Sequence, residues 1–382
     1  MRKNKKFCLE VDTMSKNKLQ SFFKSQIVLI ISILLAIITS FFSFPKWSYI
    51  DFKVLILLFN LMIIVAALNE FKVLDKAAIT LLKKCTTEKK VNFVLVLITF
   101  VASMFVTNDV ALITFVPLTI IVGKKANVKV LKTVVFQTLA ANLGSSFTPM
   151  GNPQNLFIYS YYNMLPIDFL KITSSILMLG IVFLLALTLI GEDRKLNFEV
   201  SDIILKDKTK ILIVILLFFI VILSVFSIFD YRITLIMTIL IILAIDRKLF
   251  KKVDYSLLLT FVGFFIFVGN ISAIPGIKEF LEKMFSSSAD TYFKAILISQ
   301  VISNVPATVL ISGFTDYFKE LLLAVNIGGM GTIVASLASL ISYKLYTKEF
   351  TEEGNKFLKV FTIYNALGLL LFVPIIYLVI IR

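Results

Sequence analysis

Long apolar runs separated by short basic loops fill the chain. Uninterrupted runs occur at 26–42, 53–69, 167–190, 211–229, 233–245, 255–270 and 360–381. Most lie near the roughly 17–25 residues that an α-helix needs to cross hydrocarbon, with 233–245 the shortest. Four further stretches, 91–106, 110–122, 131–160 and 294–343, are apolar but interrupted by Asn, Pro, Gly, Ser and Thr. The pattern predicts an all-α polytopic membrane protein in which the interrupted segments are the chemically distinctive part.

The stretch 91–122 would measure about 48 Å as one helix against a hydrocarbon core of about 30 Å, so it is too long to cross once and too short to cross twice. Thr107-Asn108-Asp109 stands at its middle, and Lys89-Lys90 before it matches Lys124-Lys125 after it. Symmetric basic flanks predict a re-entrant hairpin with a polar tip; the alternative is a tilted helix pair with an exposed turn.

The order of these features repeats. LNEFKVLDKAAITLLKK near Asn69 resembles GNISAIPGIKEFLEKMF near Asn270, Thr107-Asn108-Asp109 corresponds to Ser303-Asn304-Val305, and Asn142-Leu143-Gly144 corresponds to Asn326-Ile327-Gly328. An odd number of crossings separates the two copies of the leading helix, so the copies are expected to be inverted. Inverted repeats with interrupted helices point to a secondary transporter whose site lies at mid-membrane. The expected organisation is an N-terminal cytoplasmic segment, 1–24, a first repeat half, 25–190, a charged cytoplasmic linker, 191–210, and a second half, 211–382.

Within the first half, ANLGSSFTPMGNPQN (141–155) places Asn142, Ser145, Thr148, Asn152 and Asn155 among two Gly and two Pro. Gly144 and Gly151 permit unusual backbone angles, whereas Pro149 and Pro153 remove amide donors, so a discontinuous helix is expected. Unwound backbone at membrane depth survives only when it is buried in protein or lines a cavity. Its counterpart, VNIGGMGTIVASLAS (325–339), reads either as a second break at Gly328, Gly329, Gly331 and Thr332 or as small residues, Ser336 and Ser339 included, at a close helix crossing.

Composition agrees with the membrane reading: 58% of residues are hydrophobic and 16% charged, with a mean hydropathy of +0.94. Lys and Arg number 39 against 24 Asp and Glu, a net charge of +15. With the N-terminus cytoplasmic and the C-terminus outside, 30 of the 39 fall in cytoplasmic loops, as the positive-inside rule requires. The charge is therefore topological, leaving no separate patch for nucleic acid, and the plasma membrane is the expected location. No His is present, which removes histidine triads, zinc sites and proton relays, so no enzyme and no cofactor is expected. Cys8 and Cys85 lie in segments expected to be cytoplasmic, where thiols stay reduced. Asp109 is the one charged residue well away from every predicted span end. An intramembrane carboxylate is by default functional, as a cation ligand or proton carrier, although Asp is also a common helix cap.

TNDVALITFVP, NLGSSFTPMGNPQN and SNVPATVLIS resemble the hairpin tips and broken helix of the ion transporter superfamily, which includes citrate and dicarboxylate:sodium symporters, arsenite permeases and a sodium/proton antiporter family. The resemblance covers about 50–381. It implies an elevator-type carrier, usually a homodimer, with paired re-entrant hairpins and discontinuous helices around substrate and Na+ sites. Carried over by position, the tip roles fall on Thr107, Asn108 and Asp109 and on Ser303, Asn304 and Val305. The broken-helix roles fall on Asn142, Gly144, Ser145, Thr148, Asn152 and Asn155 and on Asn326, Gly328 and Thr332. Na+ is expected at Asn108, Asp109, Asn304 and the backbone near Gly144 and Gly328. Dicarboxylate symporters resemble Ser-Asn-Thr at both tips; Asn-Asp here is closer to the arsenite-permease and sodium/proton branches. The leading expectation is a cation-coupled carrier of a small anion with Na+ or H+ as coupling ion, the alternative a sodium/proton antiporter using Asp109.

Overall fold

The computed structural model describes residues 26–190, 193–196 and 202–382. Cys8, the segment 1–24 and part of the 191–210 linker lie outside the described residues. Among those described, secondary structure is helical apart from one isolated bridge between Thr87 and Lys195, and six helices are long and apolar enough to cross a membrane. Leu370 and Val182 are 75% and 64% exposed on such helices. Outward-facing side chains this apolar require lipid rather than water. The chain is an all-α polytopic membrane protein.

The chain divides into two compact units. Among the described residues, the first comprises 26–51 with Asp254–Glu279. Its main helices are α1 (Ile27–Ser40) and α11 (Tyr255–Ser272), which pack closely because Gly263 leaves room for Ser32 and Gly269 for the Tyr49 ring. The Asn270 side chain meets the hydroxyls of Thr39 and Ser40 at 3.2 and 3.1 Å, so its amide is paired inside an otherwise apolar contact.

The second unit, Phe52–Val253 with Phe280–Arg382, contains all the interrupted segments. Helices α2 (Phe52–Glu70) and α3 (Val73–Leu82) lead into α4 (Glu88–Val106) and α5 (Asn108–Ala126). Then come α6 (Leu131–Ser145), a 3-10 turn at Pro149–Gly151, α7 (Pro153–Tyr161) and α8 (Pro166–Leu189). After α9 (Lys208–Val225) and α10 (Tyr231–Ile245), which pack on α2, the order recurs. Helix α12 (Pro275–Met284) begins in the first unit and leads to α13 (Ser288–Ile302) and α14 (Asn304–Ser312). Helix α15 (Phe318–Ile327), an unwound stretch, α16 (Leu337–Glu349) and α17 (Gly354–Ile376) follow.

The arms of the first helix pair extend beyond the apolar stretch 91–122. Thr87 caps α4, its hydroxyl accepting from the Lys90 amide, and α5 continues through Lys124 and Lys125. Each arm is therefore 19 residues, about 28 Å. Gln137 of α6 shows that the arms fold back on one another: its amide nitrogen donates to Thr99 Oγ1 (3.0 Å) on α4, and its oxygen accepts from Thr119 Oγ1 (2.8 Å) on α5.

Both central helices are discontinuous. The break between α6 and α7 was legible from its prolines. The stretch after α15 is a true break rather than small residues in a continuous helix, because Gly331 takes a φ of +112° and Gln300 fills the space where its side chain would stand. Near the linker, Asp202 accepts from Lys76 (3.3 Å) and Lys83 (2.5 Å). The hydrogen bonds from Lys83 and Lys76 hold its carboxyl below the usual range, although a pair this exposed adds little stability.

Candidate functional site

Two single-residue turns define the edges of the site. Thr107 joins α4 to α5 with φ 70° and ψ 151°, and Ser303 joins α13 to α14 with φ 75° and ψ 153°. Two non-glycine residues thus share a region of backbone space used almost only by glycine, at a cost of about 1–3 kcal/mol each. The reversal needs no loop, so the first free amides of α5 and α14 start beside the buried interior. Thr107→Gly should relieve more strain than it adds in unfolded-chain entropy, about 0.5–1 kcal/mol. It is expected to raise the melting temperature by about 1–3 °C in a thermal unfolding scan, whereas a fall would mean that Thr107 is not strained.

Asn108 opens α5 and is buried; its Oδ1 accepts from the Asp109 amide (2.9 Å) and its Nδ2 donates to Asn142 Oδ1 (3.3 Å). Asn142, near the end of α6, also accepts from Ser336 Oγ (3.1 Å) and donates to the Gly329 carbonyl (3.2 Å). One side chain therefore connects the first tip with both ends of the second break. Asn304, at the second tip, belongs to the same neighbourhood. Its Nδ2 donates to the Val325 carbonyl (3.4 Å) and would lie 3.0 Å from a side-chain carbon built on Gly329. Its backbone amide donates to Ala335 O (2.9 Å), which also accepts from Ser303 Oγ (3.3 Å).

A second set of amides braces the breaks. Asn152 caps α7, its Oδ1 accepting from the Asn155 amide (2.9 Å), while its Nδ2 donates to Ser145 Oγ (3.2 Å) and Asn326 Oδ1 (3.2 Å). Asn326 donates to Asn155 Oδ1 (2.7 Å). Asn155 Nδ2 donates to the carbonyls of Ser145, Ser146 and Thr148 at 3.1, 3.1 and 3.2 Å. These are carbonyls of the broken α6 end, which would otherwise be stranded away from water at several kcal/mol each. Thr148 Oγ1 donates to the Met104 carbonyl and fastens the break to α4. A side chain at Gly144 would overlap the Phe100 carbonyl, so this glycine permits close approach of α6 to α4.

The expected site residues therefore separate into groups. Asn142 bonds the Gly329 backbone, Asn304 lies beside it and Asn108 is joined to it through Asn142, whereas Asn152, Asn155, Ser145 and Asn326 form the brace. Asp109 sits half-buried in the first turn of α5, next to Asn108. Thr332 is exposed and turned elsewhere, its amide donating to Gln300 Oε1 (2.9 Å) and its hydroxyl donating to the Gln300 carbonyl (2.9 Å). The Gly144 carbonyl accepts from the Phe147 amide (3.2 Å) and the Gly328 carbonyl from Gln300 Nε2 (2.8 Å). The carbonyl that faces the amide cluster is Gly329's.

Sequence reading did not select Gln300, Gln137 or, as a site residue, Ser336. Gln300 also donates to the Met330 carbonyl (3.1 Å), so it holds the unwound stretch from outside the break. The available signal was a Gln within each of two interrupted apolar stretches, 131–160 and 294–343.

The cluster consists of amides, hydroxyls and carbonyls, none of which titrates. No group of three or more His, Cys, Asp or Glu side chains is placed to hold a metal among the described residues. Neutral oxygens suit a hard, weakly held cation rather than a transition metal. A many-spanning helical protein whose two broken helices and two loop-free turns gather buried amides around unwound backbone has the construction of a membrane transporter. The sequence agrees: the citrate transporter family model matches residues 15–315, and the chain belongs to that family. It is 35% identical over 319 residues to an uncharacterized transporter of Methanocaldococcus jannaschii, covering 82% of this chain and 87% of that one. It is 30% identical over 307 residues to the inner membrane protein YbiR of Escherichia coli, covering 79% and 82% respectively.

Proposed function

We propose that this transporter moves a small organic or inorganic anion coupled to a cation, Na+ or H+, by elevator-type alternating access. The supporting observation is Asn142, which links Asn108 at the first tip to the Gly329 carbonyl and Ser336 of the second break. In this reading the halves are inverted repeats, each pair of helices meeting at Thr107 or Ser303 is a re-entrant hairpin, and the site lies between the halves at mid-membrane. The starts of α5 and α14 each carry about half a positive charge from the helix dipole, which suits a carboxylate or oxyanion. The Asn oxygens, the Ser336 hydroxyl, the Gly329 carbonyl and Asp109 supply oxygen to the coupling cation.

Uptake by proteoliposomes tests this with citrate, succinate, phosphate, sulfate and arsenite, each with and without an inward Na+ or H+ gradient. At least one anion should accumulate only with the cation gradient. A Na+-driven pH change that needs no anion would overturn anion transport in favour of exchange at Asp109.

A further inference from the structure

Away from the amide cluster, the ends of several helices line a cavity. Helices α4, α6 and α17 begin around it and α8 ends at it, leaving a volume of about 600 Å3. Lys89, Lys129, Lys132, Arg194 and Lys356 line it, against Glu88 and Glu353. Glu353 is held by Lys356 (3.2 Å) and accepts from the Tyr346 hydroxyl, so one cation is already neutralised. The heads of Lys89, Lys129, Lys132 and Arg194 make no ion pair among the described residues. Arg194 is not there by chance of a loose loop: its carbonyl accepts from the Glu88 amide (2.8 Å), while the Leu196 amide donates to Thr86 O (3.0 Å). This pairing straps the segment across the start of α4.

The remaining wall is apolar. Phe136, Leu187 and Val360 line the cavity, and Ile190, 78% exposed, stands at its rim. Positive charge accounts for topology by itself, but that rule requires neither a cavity nor an apolar side to it. Three helix starts face three helix ends there, those of α5, α8 and α16, so the macrodipoles roughly cancel and the positive field comes from the side chains. We propose that this cavity binds the headgroup of an anionic phospholipid, with the phosphate among Lys89, Lys129 and Lys132 and the acyl chains leaving past Ile190. The shared chemistry is a phosphate monoanion or diester; the hydrocarbon wall selects the lipid over the free ion. Basic pockets between membrane helices at the cytoplasmic surface have this character.

The test uses the full chain purified in detergent. Melting temperature and retained lipid are measured after adding phosphatidylglycerol, phosphatidylcholine or inorganic phosphate to the wild type and to a triple variant, Lys89→Gln, Lys129→Gln and Lys132→Gln. Phosphatidylglycerol should stabilise the wild type and bind the triple variant on the order of a hundredfold more weakly, roughly fivefold per lysine. Lys251→Gln, a lysine of another basic loop, should bind as the wild type does. Equal stabilisation by phosphatidylcholine or by inorganic phosphate at matched concentration would overturn the proposal. Undiminished phosphatidylglycerol retention by the triple variant would do the same, and retention is read on whatever fraction of that variant is monodisperse.

Discussion

Asp109→Asn should abolish cation-driven uptake while the protein still inserts and folds. The substitution preserves size and the ability to accept hydrogen bonds, so what it removes is the negative charge beside Asn108 at the start of α5. A carboxylate in a membrane-spanning region is costly and is retained where its charge is used. Interactions with a charged group contribute about 1.5–3 kcal/mol, which predicts a loss on the order of a hundredfold in affinity for the coupling cation. Stability should change by about 1 kcal/mol or less, the usual contribution of an acidic side chain in a helix's first turn. Initial uptake rates against cation concentration, paired with a thermal unfolding scan, separate the two effects. Wild-type uptake kinetics together with a lower melting temperature would assign Asp109 to helix capping alone.

Asn142→Ala should lower both stability and transport, and by more than truncation of any brace residue. Asn142 meets Asn108 Nδ2 at 3.3 Å, Ser336 Oγ at 3.1 Å and the Gly329 carbonyl at 3.2 Å while being only 4% exposed. Each partner left buried and unpaired costs about 1–3 kcal/mol, and the three losses are coupled rather than additive. A loss of about 3 kcal/mol and a drop in uptake on the order of a hundredfold are expected. Asn155→Ala should instead reduce stability with a smaller change in substrate affinity, since its Nδ2 serves carbonyls of the broken α6 end. If Asn142→Ala transports normally once stabilised at low temperature, the link from Asn108 to Gly329 is structural only.

Apolar runs and basic loops determined in advance that the chain is helical and membrane-spanning, because hydrocarbon tolerates little else and each crossing needs a fixed length. Pro149 and Pro153 likewise disclosed the first break, since proline removes donors regardless of surroundings. The Thr107 and Ser303 turns were legible as positions, Asn108 standing at the middle of 91–122 and Asn304 corresponding to it along the sequence. Their backbone angles were not: local preference opposes positive φ at Thr and Ser, and only the packing of the arms imposes it.

The second break shows the same division. A glycine-rich stretch such as 328–331 fits a tight helix crossing as well as an unwound segment. Gln300 decides between them by taking up the amide and carbonyls that a helix would have paired. The sorting of asparagines also belongs to tertiary structure. Asn108, Asn142, Asn152, Asn155, Asn304 and Asn326 look alike along the chain, yet an amide becomes a link or a brace according to which carbonyl is left unpaired within about 3 Å of it. For Asn155 those carbonyls belong to the nearby broken end of α6, whereas for Asn142 the carbonyl is that of Gly329, 187 residues away. Sequence alone determined which residues are polar inside the membrane; the meeting of the two breaks determined what each of them does.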